Sequence, residues 1–145
     1  MPDVVLDGNV VLDARNRNAT RHETARPIFE GIDRGELPRA RVANYTIPEI
    51  LHPIQKRGTK EIAVETLDVL QQSRGFDLVH VPQGVHAAGE RLYRLHDGAD
   101  SLEWVDAMIA AYTLSEGLEY VYSFDDEFDS VERMTRLHSA ADPFA

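Results

Sequence analysis

The chain has 145 residues, a net charge of −10 and no cysteine. Its 43% hydrophobic and 28% charged residues are ordinary for a globular protein, which excludes bulk disorder and fits a single domain over residues 1–145. The absent thiols exclude disulfides, Cys-ligated zinc, iron–sulfur clusters and cysteine nucleophiles, and no apolar run reaches the roughly 20 residues that span a bilayer.

Residues 1–7 lack the basic region and long apolar stretch of a signal peptide, so a cytoplasmic protein is expected. Acids outnumber bases 25 to 15, and only Lys56 and Lys60 are lysines. Such a surface stays soluble through charge repulsion. Nucleic-acid binders are usually basic, so contact with nucleic acid here requires divalent metal or salt to screen the acids.

In chain order, Val4, Val5 and Leu6 read as a short buried strand. Residues 9–16 suit a first short helix. Thr20 and Glu23 have capping-box spacing, which predicts a helix with Ala25, Ile28, Phe29 and Ile32 on one face, a kink at Pro27 and an end at Gly35. Residues 40–43 form a second strand. Thr46 and Glu49 make another capping box, with Pro48 in the first turn, where its missing N–H is harmless; Ile50, Leu51 and Ile54 follow. Thr59 caps a helix carrying Ile62, Val64, Leu67, Val69 and Leu70. A third strand is expected over 76–81, a helix over 85–95 and a loop over 96–99. Asp100 or Ser101 then caps a long helix to about Ser115, ended by Gly117. A fourth strand over 120–123, a short helix over 128–134 and a last strand over 135–138 complete the chain. Strands separated by helices imply parallel pairing and an α/β sandwich, whose functional residues gather beyond the carboxyl ends of the strands.

Four acids fall at such places. Asp7 ends the first strand, Glu49 lies in the first turn after the second, and Asp125 follows the fourth. Asp106 shares the apolar stripe of Leu102, Val105, Ile109 and Thr113, where a carboxylate is costly unless paired or metal-bound. Singly, each has an ordinary reading: Asp7 a cap, Glu49 a capping-box acid, Asp106 an Arg partner, and Asp125 part of the solvated run Asp125-Asp126-Glu127. Together, these hard oxygen ligands suit Mg²⁺ or Mn²⁺ rather than zinc.

The sequence resembles PIN-domain ribonucleases. Val5-Leu6-Asp7-Gly8-Asn9 resembles their opening strand and turn, and Tyr45-Thr46-Ile47-Pro48-Glu49-Ile50-Leu51 their second acidic motif. Val105-Asp106-Ala107-Met108-Ile109 resembles their Asp-Ala-hydrophobic helix, and Ser123-Phe124-Asp125-Asp126-Glu127-Phe128 their closing Ser/Thr-Phe-Asp motif. Gly8 stands where Thr is commoner, and residues 57–97 carry no diagnostic motif. The order, spacing and length are similar to a stand-alone VapC-like toxin of a toxin–antitoxin pair. That resemblance implies a three-layer α/β/α sandwich with a mainly parallel sheet of four or five strands. It also implies a Mg²⁺- or Mn²⁺-dependent endoribonuclease with Asp7, Glu49, Asp106 and Asp125 as catalytic, metal-binding acids. Asn9 would hold Asp7 or a metal-bound water, Ser123 would do the same beside Asp125, and Asp129 matches an accessory acid.

Such an enzyme hydrolyses phosphodiesters by in-line attack of water, with metal lowering the pKa of that water and offsetting charge. No protein nucleophile is needed. Arg15, Arg17 and Arg21 are candidates for gripping RNA phosphates, or else solubilising charge. The histidines His22, His52, His80, His86, His96 and His138 show no paired zinc spacing, and no P-loop or dinucleotide fingerprint is present. Asp7-Gly8-Asn9 lacks the second Asp of a phosphoaspartate phosphatase. Trp104 and Tyr112 read as core or interface rather than base-stacking platforms. The alternative is a catalytically silent PIN-like scaffold that binds RNA or protein. The helices over 59–70 and 85–95 carry more apolar side chains than one face of a small sheet needs. In VapC-like relatives such surfaces form a homodimer, and an antitoxin lies near the acids, where its Arg or Lys would replace metal.

Overall fold

A computed structural model describes residues 2–145, the Asp100 side chain excepted. The elements are β1 (Val4–Leu6), α1 (Gly8–Ala14), α2 (His22–Asp33), β2 (Ala40–Ala43), α3 (Thr46–Arg57) and α4 (Lys60–Gln72), then β3 (Phe76–Val79), α5 (Gln83–Leu95), α6 (Trp104–Ser115), β4 (Tyr120–Tyr122) and β5 (Thr135–Leu137). Short 3-10 turns cover Gly98–Asp100 and Asp126–Ser130. One five-stranded sheet has the order β3-β2-β1-β4-β5, and every pairing is parallel. Among the described residues, no helix is long and apolar enough to cross a membrane.

β1 lies at the centre and is buried throughout. Val4 and Leu6 pack with Val10 of α1, Ile28 of α2, Ile50 of α3 and Leu70 of α4. Val5 packs on the other face with Ala107, Ile109 and Ala110 of α6. The two-residue period of a strand thus divides the core into two layers. A strand buried on both faces needs apolar residues at every position, which is why β1 reads as an unbroken run.

Helix starts differ from those expected. The Thr20–Glu23 capping box does not form; α2 begins behind Arg21 with no side-chain cap. The backbone closes that turn instead, with His22 N donating to Ala19 O and Thr24 N to Arg21 O. The Thr46–Glu49 box is also absent, because Thr46 turns inward and its buried hydroxyl has no hydrogen-bond partner among the described residues. α6 begins at Trp104, not at residue 100 or 101. Leu102 is 1% exposed, and burying it draws residues 101–103 off a helical path. A cap by Asp100 lies outside the described side chains. The expected helix over 128–134 is replaced by the 3-10 turn and an irregular connection into β5.

Every residue of α6 from Asp106 to Thr113 is buried, as expected for a helix packed on several sides. α5 contributes by coming very close: a Cβ on Gly89 would sit 2.6 Å from Met108 Sδ and 3.3 Å from Met108 Cα. Gly89→Val therefore forces the two helices apart. It should lower stability by about 1–3 kcal/mol in urea unfolding; unchanged stability would contradict this close packing.

Candidate active site

In an open parallel sheet, a crevice forms where the strand order reverses. Here the chain leaves β1 toward β2 and β3, then returns to place β4 on the other side of β1. Asp7 follows β1, and Ser123, Phe124 and Asp125 follow β4, so both strands deliver acids to one crevice. Asp106 arrives from the first turn of α6. Glu49 arrives from α3, whose start packs against Gly8: a Cβ there would lie 3.2 Å from Thr46 Cγ2 and 3.3 Å from Ile50 Cγ1. The Thr commoner at this position in the resembling family would crowd that contact.

Ser123 organises the crevice. Its hydroxyl donates to Asp7 Oδ2 at 2.6 Å and accepts from Asp125 N at 3.0 Å. Asn9 Nδ2 donates to the same hydroxyl at 3.4 Å, and Asn9 Oδ1 accepts from Phe124 N at 3.3 Å. Gly8 N donates to Asp7 Oδ1 at 2.8 Å. Asp125 Oδ1 accepts from Glu127 N at 3.0 Å, which caps the 3-10 turn. Ser123 thus holds Asp7 directly, and Asn9 acts on Ser123 and the β4 backbone rather than on Asp7.

Asp106, Asp125 and Glu127 each offer a carboxylate oxygen within 4.8 Å of the others. Asp7 and Glu49 are not part of this triplet; Asp7 couples to Asp106 through charge, and Glu49 couples to Asp7. Burial, above all, raises Asp7 to about 6; the Ser123 and Gly8 hydrogen bonds oppose the rise, and the Asp125 and Glu103 charges add to it. Asp106 is held well above the usual carboxylate range by burial, by the hydrogen bond its protonated form makes to Asp125, and by the Asp7 charge. Glu49 is raised by partial burial and then by Asp7 and Glu103, and Glu127 by burial and then by Asp125. Among the described residues, none of these acids has an ion-pair partner.

A divalent cation fits this arrangement. The donors are all hard carboxylate oxygens, and Glu127 Oε2 is buried without a hydrogen-bond partner among the described residues. Sequence alone does not single out Glu127 or Glu103. The only signal for Glu127 was its place two residues after Asp125 in an acidic run, and whether such a run faces solvent depends on the turn. Asp129 lies outside the triplet: Arg136 grips both its oxygens at 3.0 Å and pulls its pKa down. Arg15 reaches Glu65 at 3.6 Å, and Tyr112 is 4% exposed with its hydroxyl bonded to Arg41. Tyr45 Oη lies 2.6 Å from His86 Nδ1, and the His86 ring meets the edge of Trp104 at 5.5 Å.

The raised acids fix a sign for pH dependence. A carboxyl whose folded pKa exceeds its unfolded value favours the fold when protonated, and that stability is lost as pH rises. For Asp7 the window runs from about 4 to about 6. In chelator, Asp7→Asn should therefore gain stability relative to wild type by roughly 3 kcal/mol between about pH 4 and pH 8, read from urea unfolding. A pH-independent difference would contradict the burial of an ionisable Asp7.

Residues 4–134 match the PIN domain family model. No curated protein matches the sequence significantly. Several solved structures are similar. VapC20 of Mycobacterium tuberculosis, a sarcin–ricin-loop-cleaving toxin, has 19% identity and a TM-score of 0.75 over 88% of this chain and 94% of its own. VapBC2 of Rickettsia felis, bound to a fragment of its promoter DNA, has 13% identity and a TM-score of 0.70 over 94% and 98%. A toxin–antitoxin complex from Klebsiella pneumoniae has 16% identity and a TM-score of 0.65 over 92% and 96%. At these identities the likeness establishes the shared fold, and with the family match over most of its length, the chain belongs to the PIN-domain family.

Proposed function

We propose that this protein is a divalent-metal-dependent ribonuclease and the toxin of a toxin–antitoxin pair. The observation that carries the reading is the unneutralised carboxyl cluster of Asp106, Asp125 and Glu127, beside Asp7 and Glu49, in the crevice of a PIN-domain chain. The toxins and the toxin–antitoxin complex among the similar structures favour the biological role.

Asp106, Asp125 and Glu127 would hold Mg²⁺ or Mn²⁺, with Asp7 and Glu49 adding negative charge around them. What such an ion supplies is a more acidic water and compensation of the charge developing on phosphorus oxygens. The protein's own part is positional. Ser123 and Gly8 fix both oxygens of Asp7, and Asp125 is oriented by the Glu127 amide. Asp106, whose carboxyl burial and Asp125 hold well above the usual range, would have to lose its proton to serve as a ligand, so binding of a cation there would release protons.

Cleavage of RNA in Mg²⁺ should disappear in Asp7→Asn and Asp106→Asn, both of which should remain folded. Ser123→Ala, which frees Asp7 and removes the hydroxyl that accepts from Asp125 N, should lose about 10–100-fold in rate, the usual effect of removing a group that orients a metal-site ligand, here Asp125. Cleavage that persists in chelator, or full activity of Asp106→Asn, would overturn the reading.

The partner reading extends this proposal. α4 exposes Ile62 and Val64, each 43% accessible, whereas its buried positions are Ala63, Thr66 and Leu70. α5 exposes Tyr93 and Leu95, the latter 75% accessible. Covering these side chains favours a homodimer, and the acidic crevice suits a basic side chain from an antitoxin. Light scattering at micromolar concentration should give twice the chain mass, and a monomer would contradict the dimer.

A further inference from the structure

A second pocket, of about 250 Å³, adjoins the acids on the β4–β5 side and is lined by Arg21, Thr24, Phe124, Arg136 and His138. It lies beside the crevice, since Phe124 stands between Ser123 and Asp125, its amide is held by Asn9, and Arg136 donates to Ser123 O. The Arg21 guanidinium lies over the Phe124 ring, 5.3 Å from its centre. Arg21 is exposed and has no ion-pair partner among the described residues. Arg136 is anchored: Nε and Nη2 donate to Asp129 at 3.0 Å, and Nη1 donates to Ser123 O at 3.4 Å. Those bonds use three of its five N–H groups and leave the others for a ligand.

No acid is among the residues that line this pocket, although the chain carries a net charge of −10 and the neighbouring crevice holds clustered carboxylates. Asp129 stands behind Arg136 and neutralises it, so the unpaired positive charge at the pocket is that of Arg21. An anion belongs in the pocket and a cation in the crevice, which is the order a nucleic-acid strand presents when one phosphate is at the metal and its neighbour is not. A guanidinium lying over an aromatic ring also offers a surface on which a base stacks. An inhibitor drawn to the acids must itself be basic and would be repelled here. We infer that this pocket seats the phosphate next to the scissile one in single-stranded RNA, with the adjoining base against the Arg21–Phe124 layer. The inference rests on the ribonuclease reading.

The test is fluorescence anisotropy of the full chain with labelled 2′-O-methyl oligouridylate in Mg²⁺ buffer, over a salt series from about 50 to 200 mM. Arg21→Ala should weaken binding roughly 5- to 50-fold and flatten the salt dependence by about 0.7. Arg21→Lys should keep the salt dependence and lose only part of the affinity. Arg74→Ala, at the opposite end of the sheet before β3, should match wild type. Equal affinity of Arg21→Ala and wild type, or no binding by wild type, would overturn the pocket. Mg²⁺-dependent cleavage of total RNA by wild type reads the underlying function separately. Cleavage with unaltered Arg21→Ala affinity removes the pocket alone, whereas no cleavage removes the reading on which it rests.

Discussion

Asp7 is 5% exposed and Asp106 is 7% exposed, and neither has a cation beside it among the described residues. Burying a carboxylate without a counter-charge is expensive, and the usual escape is protonation. For Asp106, burial and then the neighbouring Asp125 hold the carboxyl well above the usual range. Asp7 is offset by two donors, Ser123 Oγ and Gly8 N. Much of the fold follows from keeping these two groups in place. β1 must be central for Asp7 to emerge between β2 and β4, and α6 must be buried for Asp106 to face inward. Gly8 lacks a side chain so that α3 can bring Glu49 close.

The net charge alone does not account for this. At the opposite end of the sheet, acids are neutralised in the ordinary way. Arg41 bonds Asp3 at 2.9 Å and Glu116 at 2.7 Å, and Arg39 approaches Asp77 at 3.6 Å. The same helix, α6, therefore ends on a paired acid and begins on an unpaired one. A fold that places Arg beside Glu116 and none beside Asp106 leaves room for positive charge from outside. On the proposed function, a metal ion and a basic side chain from a partner would be competing ways of meeting one electrostatic demand.

The layers and the acid positions were legible because each rests on a local pattern. Apolar runs bounded by helices mark buried parallel strands, and an acid at the end of such a run falls at the sheet's carboxyl edge. Asp7 and Asp125 are found this way, and Asp106 by its place on the apolar stripe of a helix. Details set by competing tertiary contacts were not legible. Thr20 and Thr46 have capping-box spacing, but backbone hydrogen bonds and the burial of Thr46 take precedence. The helix over 59–70 reads as carrying surplus apolar side chains, but sequence does not say which: α4 turns Ala63, Thr66 and Leu70 inward and leaves Ile62 and Val64 exposed. Ser123 sits beside Asp125 in sequence but bonds Asp7, 116 residues away. Glu127 joins Asp125 only because a 3-10 turn brings its oxygen within 4.8 Å, a geometry that an acidic run does not encode.

The central claim is that unneutralised carboxyls at the β1–β4 crevice form a divalent cation site. Crystals grown in Mn²⁺ and measured at an anomalous wavelength test it most directly. The account predicts an anomalous peak among Asp106, Asp125 and Glu127, with oxygen-only ligands at about 2.0–2.3 Å. A peak elsewhere on the molecule, or none at millimolar Mn²⁺, would contradict it.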